Sequence, residues 1–422
     1  MSSFPSGFGE LKMAQRFFAT SLVVLAACGG GVSDSSSGST EAAAGGDTSN
    51  PAARSSPIDA FKAACGDGGL AASGGGMARQ AYLQNVSNSA ATVGWVTTSR
   101  EPQHVMFTRP DQSPVMDARG EIDSGASRMS SDENQVWSKA AGLEPSTVYC
   151  YGVDGTMPMS SRAGFRTAPD PQSKEPVRFL AFGDSGGGGA DQYALLDQMY
   201  TVPYDLIIHT GDIAYDNGTI AEFESNVFGV YAELFRSIPF FPAPGNHEYG
   251  TVANAAPFRS VFSLPGSTGK TWYSYDWGQV HFASLDTEAD YATQMEWLEA
   301  DLAASDKPWK IVYLHRPPYS SGSHGSDLGL RNKLAPILER HHVQLVLAGH
   351  DHNYERMLPQ NGVNYVVTGG GGKGTRPVGT SNFTAYSTAV IHFVYVEVMN
   401  DKLTLHAIDA AGKEFDSLVI PQ

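Results

Sequence analysis

Val343-Gln344-Leu345-Val346-Leu347-Ala348-Gly349-His350-Asp351-His352-Asn353-Tyr354-Glu355-Arg356 decides how this chain is read. An apolar run of strand length ends in a glycine and then in two histidines at i and i+2. That spacing puts both imidazoles just past a buried strand, where metal ligands are carried. Four more segments end in polar groups in the same way: Gly183-Asp184-Ser185-Gly186, Gly211-Asp212-Ile213-Ala214-Tyr215, Gly245-Asn246-His247-Glu248 and Val312-Tyr313-Leu314-His315. Five such strand ends converging on one rim would build a two-metal site.

Strands and helices alternate around these segments. Strand patterns at 177–182, 206–210, 310–314 and 343–348 are interleaved with helical patterns at 190–200, 222–238, 291–304 and 329–342. This predicts a layered α/β domain whose active groups lie on loops at strand ends. Runs at 365–368, 390–398 and 402–409 are expected to add strands to a second sheet. Upstream, between Met77 and Pro169, short alternating runs at 81–85, 91–97 and 105–107 with little helix predict a small antiparallel sandwich. Residues 170–176, with prolines at both ends, read as the linker between the two.

At 422 residues with 41% hydrophobic and 10% aromatic side chains, the chain is long enough for two domains and a tail. A net charge of -16 and a pI near 5.1 argue against nucleic acid or an anionic membrane surface as a partner. A phosphate-bearing ligand would need local positive charge, which metal ions could supply. Residues 1–28 read as a secretion signal: Lys12 and Arg16 precede an apolar run at 17–27, too short to span a bilayer as a mature helix. Leu25-Ala26-Ala27-Cys28 resembles a bacterial lipobox, which implies lipid on Cys28 and an envelope location; the alternative is an ordinary cleaved signal. Residues 29–57, rich in Gly, Ser, Ala and Thr, read as a flexible tether. Cys65 and Cys150 are then either a disulfide or two separate buried thiols.

Oxygen ligands mixed with imidazoles suit iron, zinc or manganese better than calcium. A carboxylate such as Asp212 can bridge two ions, and an ion pair can clamp a phosphate and activate water. The glycines at 369–372 could bring main chain close to such a site, and those at 186–189 permit a tight turn after Asp184. Tyr354, Glu355 and Arg356 could orient His352 or touch phosphate, although an Arg beside a Glu is more often a structural pair. His104, His209, His281, His341, His342, His392 and His406 lie outside the blocks and read as core or surface histidines. No Gly-x-Ser-x-Gly elbow follows a strand, which argues against a serine hydrolase.

Two resemblances follow from these motifs. Leu143-Glu144-Pro145-Ser146-Thr147-Val148-Tyr149-Cys150-Tyr151 looks like the tyrosine corner of fibronectin type III domains, with Trp95 as the buried tryptophan and Phe165-Arg166-Thr167-Ala168-Pro169 as the last strand, which implies such a module over about 58–170. The five ordered blocks resemble those of the purple acid phosphatases, a branch of the calcineurin-like metallophosphoesterases, over 177–422. The resemblance implies an α/β/β/α four-layer sandwich. It also implies a ferric ion on Asp184, Tyr215 and His352, and a divalent zinc, iron or manganese ion on Asn246, His315 and His350, with Asp212 bridging. His247 and His324 would be the catalytic histidines and, with Asn246, the substrate contacts. The implied activity is hydrolysis of small phosphate monoesters by a hydroxide held on the metal pair. The alternatives are a phosphodiesterase or nucleotide pyrophosphatase on the same site, or a non-catalytic envelope binding protein.

Overall fold

The computed structural model describes residues 56–66, 77–101, 103–154, 162–250, 253–266 and 269–422. The signal-peptide and lipid readings of 1–28, and the tether reading apart from its last two residues, lie outside them.

The N-terminal region is antiparallel throughout. Strands β1 (Met77–Gln84), β2 (Ala90–Thr97), β3 (His104–Thr108), β4 (Pro114–Asp123), β5 (Asn134–Ala141), β6 (Val148–Asp154) and β7 (Ala163–Arg166) form one sheet in the order β1-β2-β5-β4-β3-β6-β7. Two separate sheets were the expectation for a sandwich; here β4 belongs to both halves. Its first part pairs with β3 and its last four residues, from Gly120, pair with β5. A Cβ at Gly120 would come within 2.7 Å of Val136 and 2.9 Å of Trp95, so the strand crosses between the halves where no side chain fits. Trp95, Phe107, Tyr149, Tyr151 and Phe165 fill the fold, each essentially inaccessible to water. Truncating one such aromatic to alanine would cost about 3–5 kcal/mol. The Tyr149 hydroxyl accepts the Glu144 N–H at 2.9 Å, the bond that defines a tyrosine corner. Cys65 and Cys150 are joined as a disulfide, with Cα atoms 5.5 Å apart. It ties the helix Pro57–Cys65, capped by Ser56, to β6.

The second region holds two sheets. Strands β8 (Val177–Phe182), β9 (Leu206–His209), β10 (Phe240–Pro242), β18 (His392–Met399), β19 (Lys402–Asp409) and β20 (Glu414–Pro421) form the first, in the order β10-β9-β8-β18-β19-β20. Strands β11 (Tyr273–Trp277), β12 (Val280–Ser284), β13 (Trp309–Leu314), β14 (Leu345–Ala348), β15 (Tyr354–Met357), β16 (Asn364–Thr368) and β17 (Thr384–Thr388) form the second, in the order β11-β12-β13-β14-β16-β15-β17. Alternation along β13 shows how the layers stack: Ile311 and Tyr313 join the core shared with the first sheet, while Val312 and Leu314 pack with the helices Tyr291–Ala304 and Leu328–Arg340. With the helix Ala190–Met199 packed on the first sheet, this is the expected four-layer sandwich.

Two expectations need correction. The segment 222–238 is not one helix: a short turn Ile220–Glu222 leads into a π-helical turn Phe223–Phe228 and then the helix Gly229–Ser237. Tertiary contacts hold the widened turn, because Glu224 pairs with Arg79 of β1 and the Asn226 amide donates to the carbonyls of Gly186 and Tyr215. The late strands also divide between the sheets. β18 pairs antiparallel with β8 and extends the first sheet with β19 and β20, whereas β16 lies beside β14 in the second. Among the described residues no helix is long and apolar enough to cross a membrane.

Candidate metal centre

The C-terminal ends of β8, β9, β10, β13 and β14 meet on one rim, and the next few residues of each supply its polar groups. Asp184 (φ 60°), Asp212 (φ 53°) and His350 (φ 72°) all adopt left-handed backbone, a strained conformation for residues with a Cβ that marks functional sites. Gly211 and Gly349 make room for this. A Cβ on Gly211 would lie 2.7 Å from His315 Nδ1, and one on Gly349 would lie 2.6 Å from Asp184 Oδ2. Gly369 has the close approach expected of the 369–372 run, since a Cβ there would lie 2.8 Å from the same carboxylate oxygen.

All seven predicted ligand side chains converge. On one side the Tyr215 hydroxyl lies 3.0 Å from Asp184 Oδ1, 3.1 Å from Asp212 Oδ2 and 3.2 Å from His352 Nε2. On the other, His315 Nε2 lies 3.1 Å from Asn246 Oδ1, 3.2 Å from Asp212 Oδ2 and 3.1 Å from His350 Nδ1. One oxygen, Asp212 Oδ2, is therefore shared by both halves. Donor atoms of Asp212, His315 and His350 lie within 4.8 Å of one another, and all three residues are buried.

The chemistry of this donor set fits a cation. His315 Nδ1 donates to the Thr210 carbonyl at 3.0 Å, so Nε2 presents a lone pair to an amide oxygen, a carboxylate oxygen and a second imidazole. Lone pairs crowded in this way repel unless a positive charge stands among them. Without a metal a proton takes that place: burial disfavours the charged ring, yet Asp212 raises His315 to about 9. Burial, then the charges of His315 and Arg316, push His350 down to about 2, and burial with Arg376 pushes His352 down to about 4. Both rings are thus neutral, the state in which imidazole binds metal.

His247 lies beside the cluster. Its Nδ1 is 2.5 Å from the Asp216 carbonyl, its Nε2 is 3.7 Å from Asp212 Oδ2, and its ring is centred 4.2 Å from that of Tyr215. His324 stacks on His350 with centroids 4.2 Å apart, its Nε2 takes a hydrogen bond from Arg376, and its main-chain N–H donates to Asp351 Oδ1 at 2.8 Å. Burial first, opposed by Asp351 but reinforced by Arg376 and Arg316, lowers the His324 pKa.

Several groups had no signal in the sequence. Glu248 accepts N–H groups from Asp212, Ile213, Ala214 and Gly245 and so shapes the loop that carries Asp212. Arg316 reaches 3.3 Å from His350 Nε2 and pairs with Glu288. Lys373 pairs with Asp216 over the Tyr215 ring. Conversely, Arg356 is a structural residue whose partner is Asp416 on β20 and not the adjacent Glu355, which binds Ser321 and Thr384 instead. His209 is fully buried and bonded to Ser185, and none of the seven outlying histidines joins the cluster.

Residues 177–354 match the calcineurin-like phosphoesterase family. Acid phosphatase type 7 of Homo sapiens is 29% identical over 315 residues, covering 66% of this chain and 70% of that protein. Purple acid phosphatase 23 of Arabidopsis thaliana is 30% identical over 278 residues, covering 55% of this chain and 61% of that protein. The solved purple acid phosphatase of yellow lupin (Lupinus luteus) seeds superposes with a TM-score of 0.72 at 22% identity, covering 81% of this chain and 74% of that one, which bears on the fold.

Proposed function

We propose, from the premise that this chain belongs to the calcineurin-like metallophosphoesterases of purple acid phosphatase type, that it hydrolyses phosphate monoesters at acid pH on a binuclear centre. The observation that carries this reading is the single oxygen, Asp212 Oδ2, lying 3.1 Å from the Tyr215 hydroxyl and 3.2 Å from His315 Nε2, between two otherwise separate donor sets. Asp184, Tyr215 and His352 would hold a ferric ion, and Asn246, His315 and His350 a divalent one, with Asp212 between them. A phenolate donor favours the ferric state. When bound, the two ions supply Lewis acidity and the charge that activates water toward phosphorus.

The protein's own groups do the rest. Asp212 Oδ1 accepts the His247 N–H at 2.9 Å, which fixes the start of the Asn246–His247 turn against the centre. The Asp216 carbonyl accepts from His247 Nδ1, so the ring gains and loses its second proton at Nε2, the atom that faces the cluster. That proton can pass to a leaving alkoxide. His324, held by Arg376, lines the rim as a substrate contact and a weaker candidate for proton delivery. Asn246 turns its amide toward the same space.

The disulfide agrees with an oxidising, extracytoplasmic location. Lipid on Cys28 and a domain boundary between 170 and 177 complete the reading. The test is hydrolysis of an aryl phosphate monoester and the matching diester, from acid to alkaline pH, by the metal-loaded protein. Monoester turnover with an acid optimum is expected. Preference for the diester or an alkaline optimum would move the reading to a phosphodiesterase, and absence of turnover after metal reloading would favour a binding protein.

A further inference from the structure

The donors of the candidate centre all come from the second region, yet the first strand of the all-β region reaches an element that is bonded to them. Arg79 of β1 is buried. Its Nε donates to Glu224 Oε1 at 3.0 Å and to Oε2 at 3.2 Å, and Nη2 closes the fork on the same carboxylate. Nη1 donates to Gln135 Oε1 at 2.7 Å and to the Tyr82 hydroxyl at 3.2 Å, and the guanidinium carbon lies 4.2 Å from the centroid of the Phe228 ring. Glu224 and Phe228 belong to the π-helical turn Phe223–Phe228, so one side chain from β1 grips that turn near both ends. A forked and stacked arginine of this kind is held in one geometry.

The same turn is bonded to the loop that carries Tyr215. Asn226, midway along it, donates from Nδ2 to the Tyr215 carbonyl at 3.1 Å and to the Gly186 carbonyl at 3.2 Å. The Gly186 carbonyl also accepts the Tyr215 N–H at 2.9 Å, so Asn226 closes a network that joins the loop after Asp184 to the loop after Asp212. Glu222, just before the turn, accepts the N–H groups of Asp216 at 2.5 Å and Asn217 at 3.2 Å. One segment thus fixes the main chain at Tyr215 and just beyond it, and its widened turn is of the kind that recurs at functional sites. A different bond between the two regions leads elsewhere: the Tyr151 hydroxyl donates to the Arg236 carbonyl at 2.8 Å, on the helix Gly229–Ser237 that follows.

We propose that Arg79 is a positioning residue for the metal centre: through the π-helical turn, the N-terminal sheet sets where the Tyr215 phenol stands against Asp184 and Asp212. This role rests on the reading of Tyr215 as a metal ligand, and it gives the all-β region a task in a site that it does not line. The chain of contacts is short. Arg79 holds the Glu224 carboxylate, Asn226 two residues on holds the Tyr215 carbonyl, and the Tyr215 hydroxyl lies 3.0 Å from Asp184 Oδ1 and 3.1 Å from Asp212 Oδ2. A donor that must sit among other donors tolerates little movement, so the groups that orient it tune the metal it holds. A lysine at position 79 would keep the charge but neither the fork nor the stacking.

The experiment is hydrogen exchange at the Tyr215, Asp216 and Asn217 amides of the full chain as purified, followed by the visible spectrum of the iron-loaded protein. Arg79→Lys and Asn226→Ala should each speed that exchange by at least about tenfold, the worth of one lost hydrogen bond, and should shift the Tyr215-to-iron charge-transfer band. Tyr151→Phe, which removes a bond between the same two regions away from Tyr215, should change neither. If Arg79→Lys does not fold, Glu224→Gln cuts the same link from the other partner and should give the same two changes. Exchange as slow as in the wild type would overturn the proposal, and so would a band that stays in place. Equal speeding in Tyr151→Phe would also overturn it, because the whole fold would then have loosened. If the wild type itself shows no such band while exchange responds as stated, the metal reading of Tyr215 fails and the positioning link stands.

Discussion

The inner wall of the candidate centre and its rim are built by different means. Inner-wall donors stand within a few residues of strand ends, are buried apart from the half-buried Asn246, and are held by main-chain geometry that includes left-handed backbone at Asp184, Asp212 and His350. Rim groups such as His324, Lys373 and Arg376 stand on long connections and are placed by hydrogen bonds between loops distant in sequence. The difference teaches that the reaction and its selectivity are set separately: the sheets dictate where metal and water can be, while the loops decide which phosphate is presented.

Substitutions on the two sides should therefore fail in different ways. The largest effect is expected for Asp212→Asn, which weakens the shared oxygen: turnover of an aryl phosphate should fall by about 10³-fold or more, with metal content falling alongside it. Retention of both would break the division, since nothing on the inner wall should be dispensable. His247→Ala, at the boundary, should cost about 10²-fold on an alkyl phosphate and clearly less on an aryl phosphate, whose leaving group needs no proton. An equal loss on both substrates would remove its role as donor. On the rim, Arg376→Ala should leave metal content intact and lower turnover of an aryl phosphate by less than about tenfold, because it removes only the bond that holds His324.

The smallest catalytic effect is expected at a residue belonging to neither region. His281 bonds Asp276 at 2.7 Å and Asp301 at 2.8 Å; burial alone would lower its pKa, but the two carboxylates raise it to about 9. Its folded value lies above the unfolded value of about 6.5. The stabilisation is then fully present below pH 6.5 and is lost as pH rises through about 9. Its full size is about 3 kcal/mol. His281→Gln should leave turnover unchanged and lower Tm most at pH 6, with the gap to wild type closing by pH 10. A gap that does not depend on pH would show that the ion pairs contribute nothing.

The same contrast explains what could be read from the sequence. An apolar run that stops at a polar residue is a local signal, so β8, β13 and β14 and the ligands after them were legible, as were the tyrosine corner and Trp95. Segments shaped by tertiary contacts were not. The 222–238 stretch reads as a helix, but bonds from Arg79 and to the Gly186 and Tyr215 carbonyls widen it into a π-helical turn. β11 and β12 went unread because their polar residues, such as Asp276 and His281, satisfy one another and interrupt the apolar pattern. Arg376 has no pattern at all, since only the folded β16–β17 connection brings it to His352.

The most direct test of the central claim is the metal content and visible spectrum of the iron-loaded protein, compared with those of Tyr215→Phe. Two ions per chain, with a charge-transfer band that is present in the wild type and absent from the variant, are the predicted result. A single ion, a colourless ferric protein, or a band that survives loss of the Tyr215 hydroxyl would contradict the binuclear centre with a tyrosine ligand.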